Sequence, residues 1–170
     1  MENVDRQMKG ILHRMSLWLP REGKDDYKDD CFSELKKGIS QAKDCAVSNY
    51  GNTVLSKSVY ELDYVAMREQ QSILLREIYD NILRIRYLPK QAEQVAGLLG
   101  QIGEDFHRDN TVEGLLEQRR ILLDEMKSQP LPDSREEFEA RAVLFCLLMQ
   151  IKQFLEIKRE FMRTHGQNQQ

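Results

Sequence analysis

The sequence predicts an all-α protein, a mostly antiparallel helical bundle of about five to six helices, two of them long. Three observations predict it. Apolar residues return at steps of three and four along nearly the whole chain. Only 9 Gly and 4 Pro punctuate its 170 residues. No segment alternates apolar and polar residues as a half-buried strand does. The chain is long enough for one domain with a real core. Its net charge of −3 and pI near 5.7 leave no positive field to hold a polyanion, which excludes general nucleic-acid binding.

The first amphipathic segment covers residues 4–19, with Val4, Met8, Ile11, Leu12, Met15 and Trp18 on one face and Pro20 as its stop. Residues 21–30 read as an acidic linker. There Asp25, Asp26, Asp29 and Asp30 alternate with Lys24 and Lys28, without the glycine and terminal glutamate of a calcium loop. A second helix over 30–50 carries the stripe Phe32, Leu35, Ile39, Ala42 and Ala46, and Gly51-Asn52 marks its end. The third runs from 52 or 53 to 88, because no Gly or Pro interrupts Val59, Leu62, Val65, Ile73, Leu75, Ile78, Ile82 and Ile85; Pro89 closes it or opens the next.

A fourth helix over 91–106 presents Ala92, Val95, Leu98, Leu99, Ile102 and Phe106. Asn110 and Glu113 have the spacing of a capping box for a fifth helix reaching about 128, which Gln129-Pro130-Leu131-Pro132 breaks. Asp133 or Ser134 then caps a sixth helix, with Glu136 and Glu137 favoured in its first turn and Phe138 as its first buried side chain. It extends to about 163, and its apolar arc is wide enough to set it centrally. The expected division is a helix over 1–20, serving as tether to a preceding segment or docking on the bundle, then a linker over 21–30, a bundle over 31–163 and a polar tail over 164–170.

Chemistry-bearing motifs are sparse. Glu104-x-x-His107 matches half of a di-iron bundle site, but neither His13 nor His165 has a Glu three residues before it. Gly97, Gly100 and Gly103 lack the Lys-Ser/Thr pair of a phosphate loop and read as small residues for close helix approach. Cys31, Cys45 and Cys146 are widely separated, consistent with reduced thiols, and Cys146 reads as buried within the apolar run 142–149. That run is far short of the roughly 18–20 residues that span a bilayer. No Gly-x-Ser-x-Gly elbow occurs. The expectation is a protein with no enzymatic activity, no cofactor and no metal.

Two stretches go beyond generic helix. One is Tyr60-Glu61-Leu62-Asp63-Tyr64-Val65-Ala66-Met67-Arg68-Glu69-Gln70-Gln71; the other is Leu131-Pro132-Asp133-Ser134-Arg135-Glu136-Glu137-Phe138-Glu139-Ala140-Arg141-Ala142. The Met-Arg-x-x-Gln and Leu-Pro-x-x-Arg-Glu-Glu-Phe-Glu-x-Arg-Ala patterns resemble the C-terminal domain of the putative aromatic acid exporter family of Gram-positive bacteria, over about residues 32–161. The resemblance implies an accessory or regulatory domain on the cytoplasmic side of the cell membrane. Its partners would be its own upstream transmembrane domain and, as a homo-oligomer, further copies of itself. Transport itself needs spanning helices. The reading of another class is a free-standing helical scaffold or adaptor that binds a partner helix.

Two sets of residues are singled out. Arg135, Glu136, Glu137, Phe138, Glu139 and Arg141 of the second pattern are expected to build the start of the sixth helix. Tyr60, Tyr64, Arg68 and Gln71, at steps of four, four and three, share one helical stripe, where two rings and a guanidinium would receive a small aromatic carboxylate. The structural reading of the same stripe has the tyrosines at the edge of the core and Arg68 paired with a carboxylate of the bundle.

Overall fold

The helical periodicity is realised as six helices: α1 (Glu2–Trp18), α2 (Asp30–Asn49), α3 (Leu55–Arg84), α4 (Gln91–Glu104), α5 (Glu113–Lys127) and α6 (Arg135–Gly166). The computed structural model describes residues 1–24, 28–49 and 55–166, with side chains from 59 onward in α3. The linker residues Asp25 and Asp26, the Gly51-Asn52 stop and the expected start of α3 at 52 or 53 lie outside the described residues.

Local chemistry explains the helix ends. α3 stops four residues short of 88, where Lys24 donates to the carbonyls of Arg21 (2.9 Å) and Ile85 (3.0 Å), so a cation closes the C-terminal end. α4 ends at Glu104, two residues before Phe106. The capping box expected for α5 does not form. Asn110 Oδ1 instead accepts the Val112 N–H (2.7 Å), its amide donates to the Asp105 carbonyl (2.6 Å), and Val112 takes the left-handed conformation (φ 61°) as N-cap.

At α6 the cap is as expected. Ser134 Oγ accepts the Glu137 N–H (3.1 Å) while the Glu137 carboxylate accepts the Asp133 N–H (3.0 Å), a bond that draws its pKa below the usual carboxylate range. Arg141 clamps this turn through Glu137 and the Pro130 carbonyl. Arg135 and Glu139 form an exposed pair (2.9 Å), and Glu136 is exposed.

The two long helices run antiparallel. Along α3 and α6, Asp63 meets His165, Gln71 meets Phe154 and Asn81 meets Gln150. α1 lies between α2 and α4 and contributes Val4, Met8, Ile11, Leu12 and Met15 to the same core as Leu75, Ile78, Leu99, Leu148 and Phe154. A Cβ on Gly100 or Gly103 would meet α1 at 3.5 Å, so these two glycines face it, whereas Gly97 faces open space.

Two expectations for α6 are overturned. Phe138 is 61% exposed and Cys146 is exposed. The helix has a single buried face, formed by Ala140, Leu144, Leu147, Leu148, Ile151, Phe154 and Leu155, and both residues lie on the far side. Val59, Ile73 and Ile121 are likewise exposed, because neighbouring helices cover a narrower arc than the apolar pattern spans.

Candidate functional site

A buried polar node ties α1, α3 and α6 together. Arg68, on α3, is 2% exposed and sits at its centre. Its Nη2 donates to the Tyr64 hydroxyl (2.8 Å), one turn back, and its Nη1 donates to Gln71 Oε1 (2.6 Å), one turn forward. Its Nε lies 2.8 Å from Asp5 Oδ1 of α1, off the N–H direction, so this is an ion contact more than an aligned hydrogen bond. The circuit closes when Tyr64 donates to Asp5 Oδ2 (2.6 Å). Gln71 extends it to α6 by donating to the Phe154 carbonyl (2.7 Å), whose second lone pair is free to accept alongside the helix ladder.

Two aromatic rings lie against the guanidinium, with the Phe106 ring centre 4.3 Å and the Tyr64 ring centre 5.0 Å from its carbon. Burial pushes the Tyr64 hydroxyl well above its usual range, the Arg68 charge opposing. The hydroxyl therefore stays a neutral donor to Asp5 at any physiological pH.

Lys158 of α6 is another buried cation, 3% exposed, and donates to the Arg108 carbonyl. Burial, followed by repulsion from Arg68, lowers its pKa to about 8. Between Arg68, Lys158, Phe106, Asn110 and Val112 lies a small cavity of about 10 Å³, space for roughly one water. A larger open groove of about 560 Å³ beside Phe161 carries Asp63, Glu156 and Glu160, which repel anions. A third, of about 740 Å³, runs between α2 and α3 along Phe32, Leu35, Ile39 and Ile73.

Of the four stripe residues, three meet in the node. Tyr60 stacks on Tyr64 with centroids 6.2 Å apart, and its hydroxyl accepts from Arg108 (3.0 Å), outside the circuit around Arg68. The bundle carboxylate that pairs with Arg68 is Asp5. Sequence reasoning missed Asp5 and Lys158, though both carry a signal. Asp5 is three residues before Met8 and seven before Leu12, at the border of the α1 stripe. Lys158 follows Phe154 by four and precedes Phe161 by three, inside the buried face. Arg119 was missed as well; it is buried and donates to the Leu148 carbonyl (2.9 Å).

Among the described residues, no group of three or more His, Cys, Asp or Glu could hold a metal ion and no helix is long and apolar enough to cross a membrane. The class is thus an all-α bundle domain organised around one buried arginine node. The chain belongs to the family described as the putative aromatic acid exporter C-terminal domain, whose model matches residues 1–159. It is 31% identical over 139 residues to the uncharacterized protein YqjA of Bacillus subtilis (strain 168), a match that covers 82% of this chain and 43% of that protein. The chain therefore spans less than half the length of that relative. A crystal structure of a putative membrane protein from Clostridium difficile 630 superimposes with a TM-score of 0.82 at 26% identity, covering 95% of this chain and 96% of that one.

Proposed function

We propose that this chain is the regulatory domain of a membrane-embedded exporter of aromatic acids, acting from the cytoplasmic side and carrying neither catalysis nor transport by itself. One observation carries the reading: a carboxylate, Asp5, is held against Arg68, whose guanidinium lies against the Tyr64 and Phe106 rings. That arrangement has the chemistry an aromatic carboxylate requires, and the family description supplies the substrate class.

The cavity beside Arg68 is far too small for a benzoate-sized molecule. An incoming carboxylate must therefore take the position of the Asp5 side chain. Ligand binding and the seating of the first turns of α1 become competing states, and the ligand shifts their balance by its preference for the released state. A node of neutral apolar residues would hold α1 equally well, whereas a buried ion pair permits exchange of one anion for another.

Calorimetric titration with p-hydroxybenzoate at millimolar concentration tests this reading. Saturable binding is expected. Asp5→Asn should tighten it, because the internal competitor loses its charge, and Arg68→Gln should abolish it. Absence of heat in both the wild type and Asp5→Asn returns the node to a purely structural role.

A further inference from the structure

Lys158 carries a buried charge that the bundle leaves without a counter-ion. Its ammonium has three N–H donors, and among the described residues it meets one acceptor, the Arg108 carbonyl. The carboxylates that face it are engaged or distant. Asp5 is taken by Arg68 and the Tyr64 hydroxyl, and Asp109 is exposed. The Tyr64 and Phe161 ring centres lie 5.6 and 5.8 Å from its nitrogen, at the far limit of a cation–π contact. Arg68 adds a second buried positive charge, so two cations share the single carboxylate of the node.

We infer that the small cavity between Lys158 and Arg68 is a halide site that takes one chloride ion. Size selects a monatomic anion. The cavity of about 10 Å³ has room for one small particle, and a carboxylate or a phosphate does not fit.

The walls favour an anion over a water. Ile102, Leu115, Phe154 and Leu155 are apolar, and the acceptors beside them are in use: Gln71 Oε1 by Arg68, Asn110 Oδ1 by the Val112 N–H, and the Asp105 carbonyl by the Asn110 amide. A water would accept from Lys158 and then need partners for its own two hydrogens, whereas a halide needs donors alone. Arg68 also keeps a spare hydrogen on each of Nη1 and Nη2, since each makes a single bond. An anion neutralises the stranded charge as well, which a water does not. Asp105, the one acid on the cavity wall, opposes an anion, but it is half-buried and screened by solvent, while Arg68 and Lys158 are 2% and 3% exposed.

The site uses the cavity and leaves the Asp5 side chain in place, so it stands apart from the regulatory reading and is tested without any aromatic ligand. Sodium chloride is exchanged for sodium gluconate, whose anion is far too large for the cavity, at a fixed total of about 0.15 M, which holds screening constant. The melting temperature of the wild-type chain should rise saturably with the chloride fraction, by roughly 2–4 °C. Lys158→Met should lose this response. A second measurement needs no variant: in wild-type crystals soaked in sodium bromide, an anomalous peak should lie within hydrogen-bond distance of Lys158 Nζ. A wild-type melting temperature indifferent to chloride overturns the proposal, as does an equal chloride response in Lys158→Met. A cavity that holds water and no bromide in the soaked crystals overturns it too.

Discussion

Removing the Asp5 carboxylate leaves a guanidinium that is 2% exposed with only neutral acceptors, the Tyr64 hydroxyl and Gln71 Oε1. Breaking a buried ion pair costs about 3–5 kcal/mol, mostly as the penalty of the stranded charge. The Asp5 side chain is 20% exposed, so solvent already screens part of the attraction. Asp5→Ala is therefore expected at the lower end, about 3 kcal/mol, or roughly 6–12 °C in melting temperature for a chain of this size. Arg68→Met removes the buried charge itself and leaves a carboxylate that reaches water and keeps the Tyr64 donor, so it should cost about 1–2 kcal/mol. The double variant carries no stranded charge and should fall short of the sum by about 2 kcal/mol. Urea unfolding of the four proteins, compared at a common m-value, measures this coupling. Additivity within about 0.5 kcal/mol would refute the node as the link between α1 and α3.

Three further outcomes follow from the same geometry. Phe138→Ala should change stability by no more than about 0.5 kcal/mol, whereas Leu144→Ala on the buried face should cost about 2–5 kcal/mol; equal losses in thermal melts would show that the exposed face is misassigned. Lys158 has a pKa of about 8 in the folded state against 10.5 unfolded, so the folded protein binds fewer protons between those values and stability should rise from pH 8 towards 10, by up to about 3 kcal/mol. Above pH 10 the trend should reverse, because burial raises Tyr64 and pushes Tyr79 up to about 12; Lys158→Met should abolish the rise and keep the fall, as read by denaturant midpoints across pH. Gly97→Ala, at a helical position with open space around it, should stabilise by about 0.5–1 kcal/mol, and a loss in the same measurement would mean that Gly97 is packed.

The helices were legible because their apolar steps and breakers are local. Pro20, Pro89 and Gln129-Pro130-Leu131-Pro132 mark boundaries that the fold respects within a few residues. What local pattern does not carry is which part of a wide apolar arc a neighbour covers. Cys146 belongs to the same run of hydrophobic letters as Leu144 and Leu147, Phe138 precedes that run on the same helix, and only the positions of α3 and α5 decide that both face outward. The stripe Tyr64, Arg68, Gln71 was legible from spacing on one helix. Its partner Asp5 was not, because 63 residues and three dimensions separate it from Arg68. Asn110 failed as a capping box for another reason: its side chain reaches Val112 two residues on, a local turn that competes with the helical cap at Glu113.

The regulatory reading turns on whether an aromatic carboxylate exchanges with Asp5 at Arg68, and hydrogen exchange of the backbone amides at residues 5–9 in α1 reads that directly. Saturating p-hydroxybenzoate should speed exchange at these amides while the α6 core around Leu148 and Ile151 stays protected, and Arg68→Gln should remove the response. Unchanged exchange across 5–9 at a ligand concentration where binding is complete would contradict the account, because the ligand would then occupy some other surface and leave α1 seated.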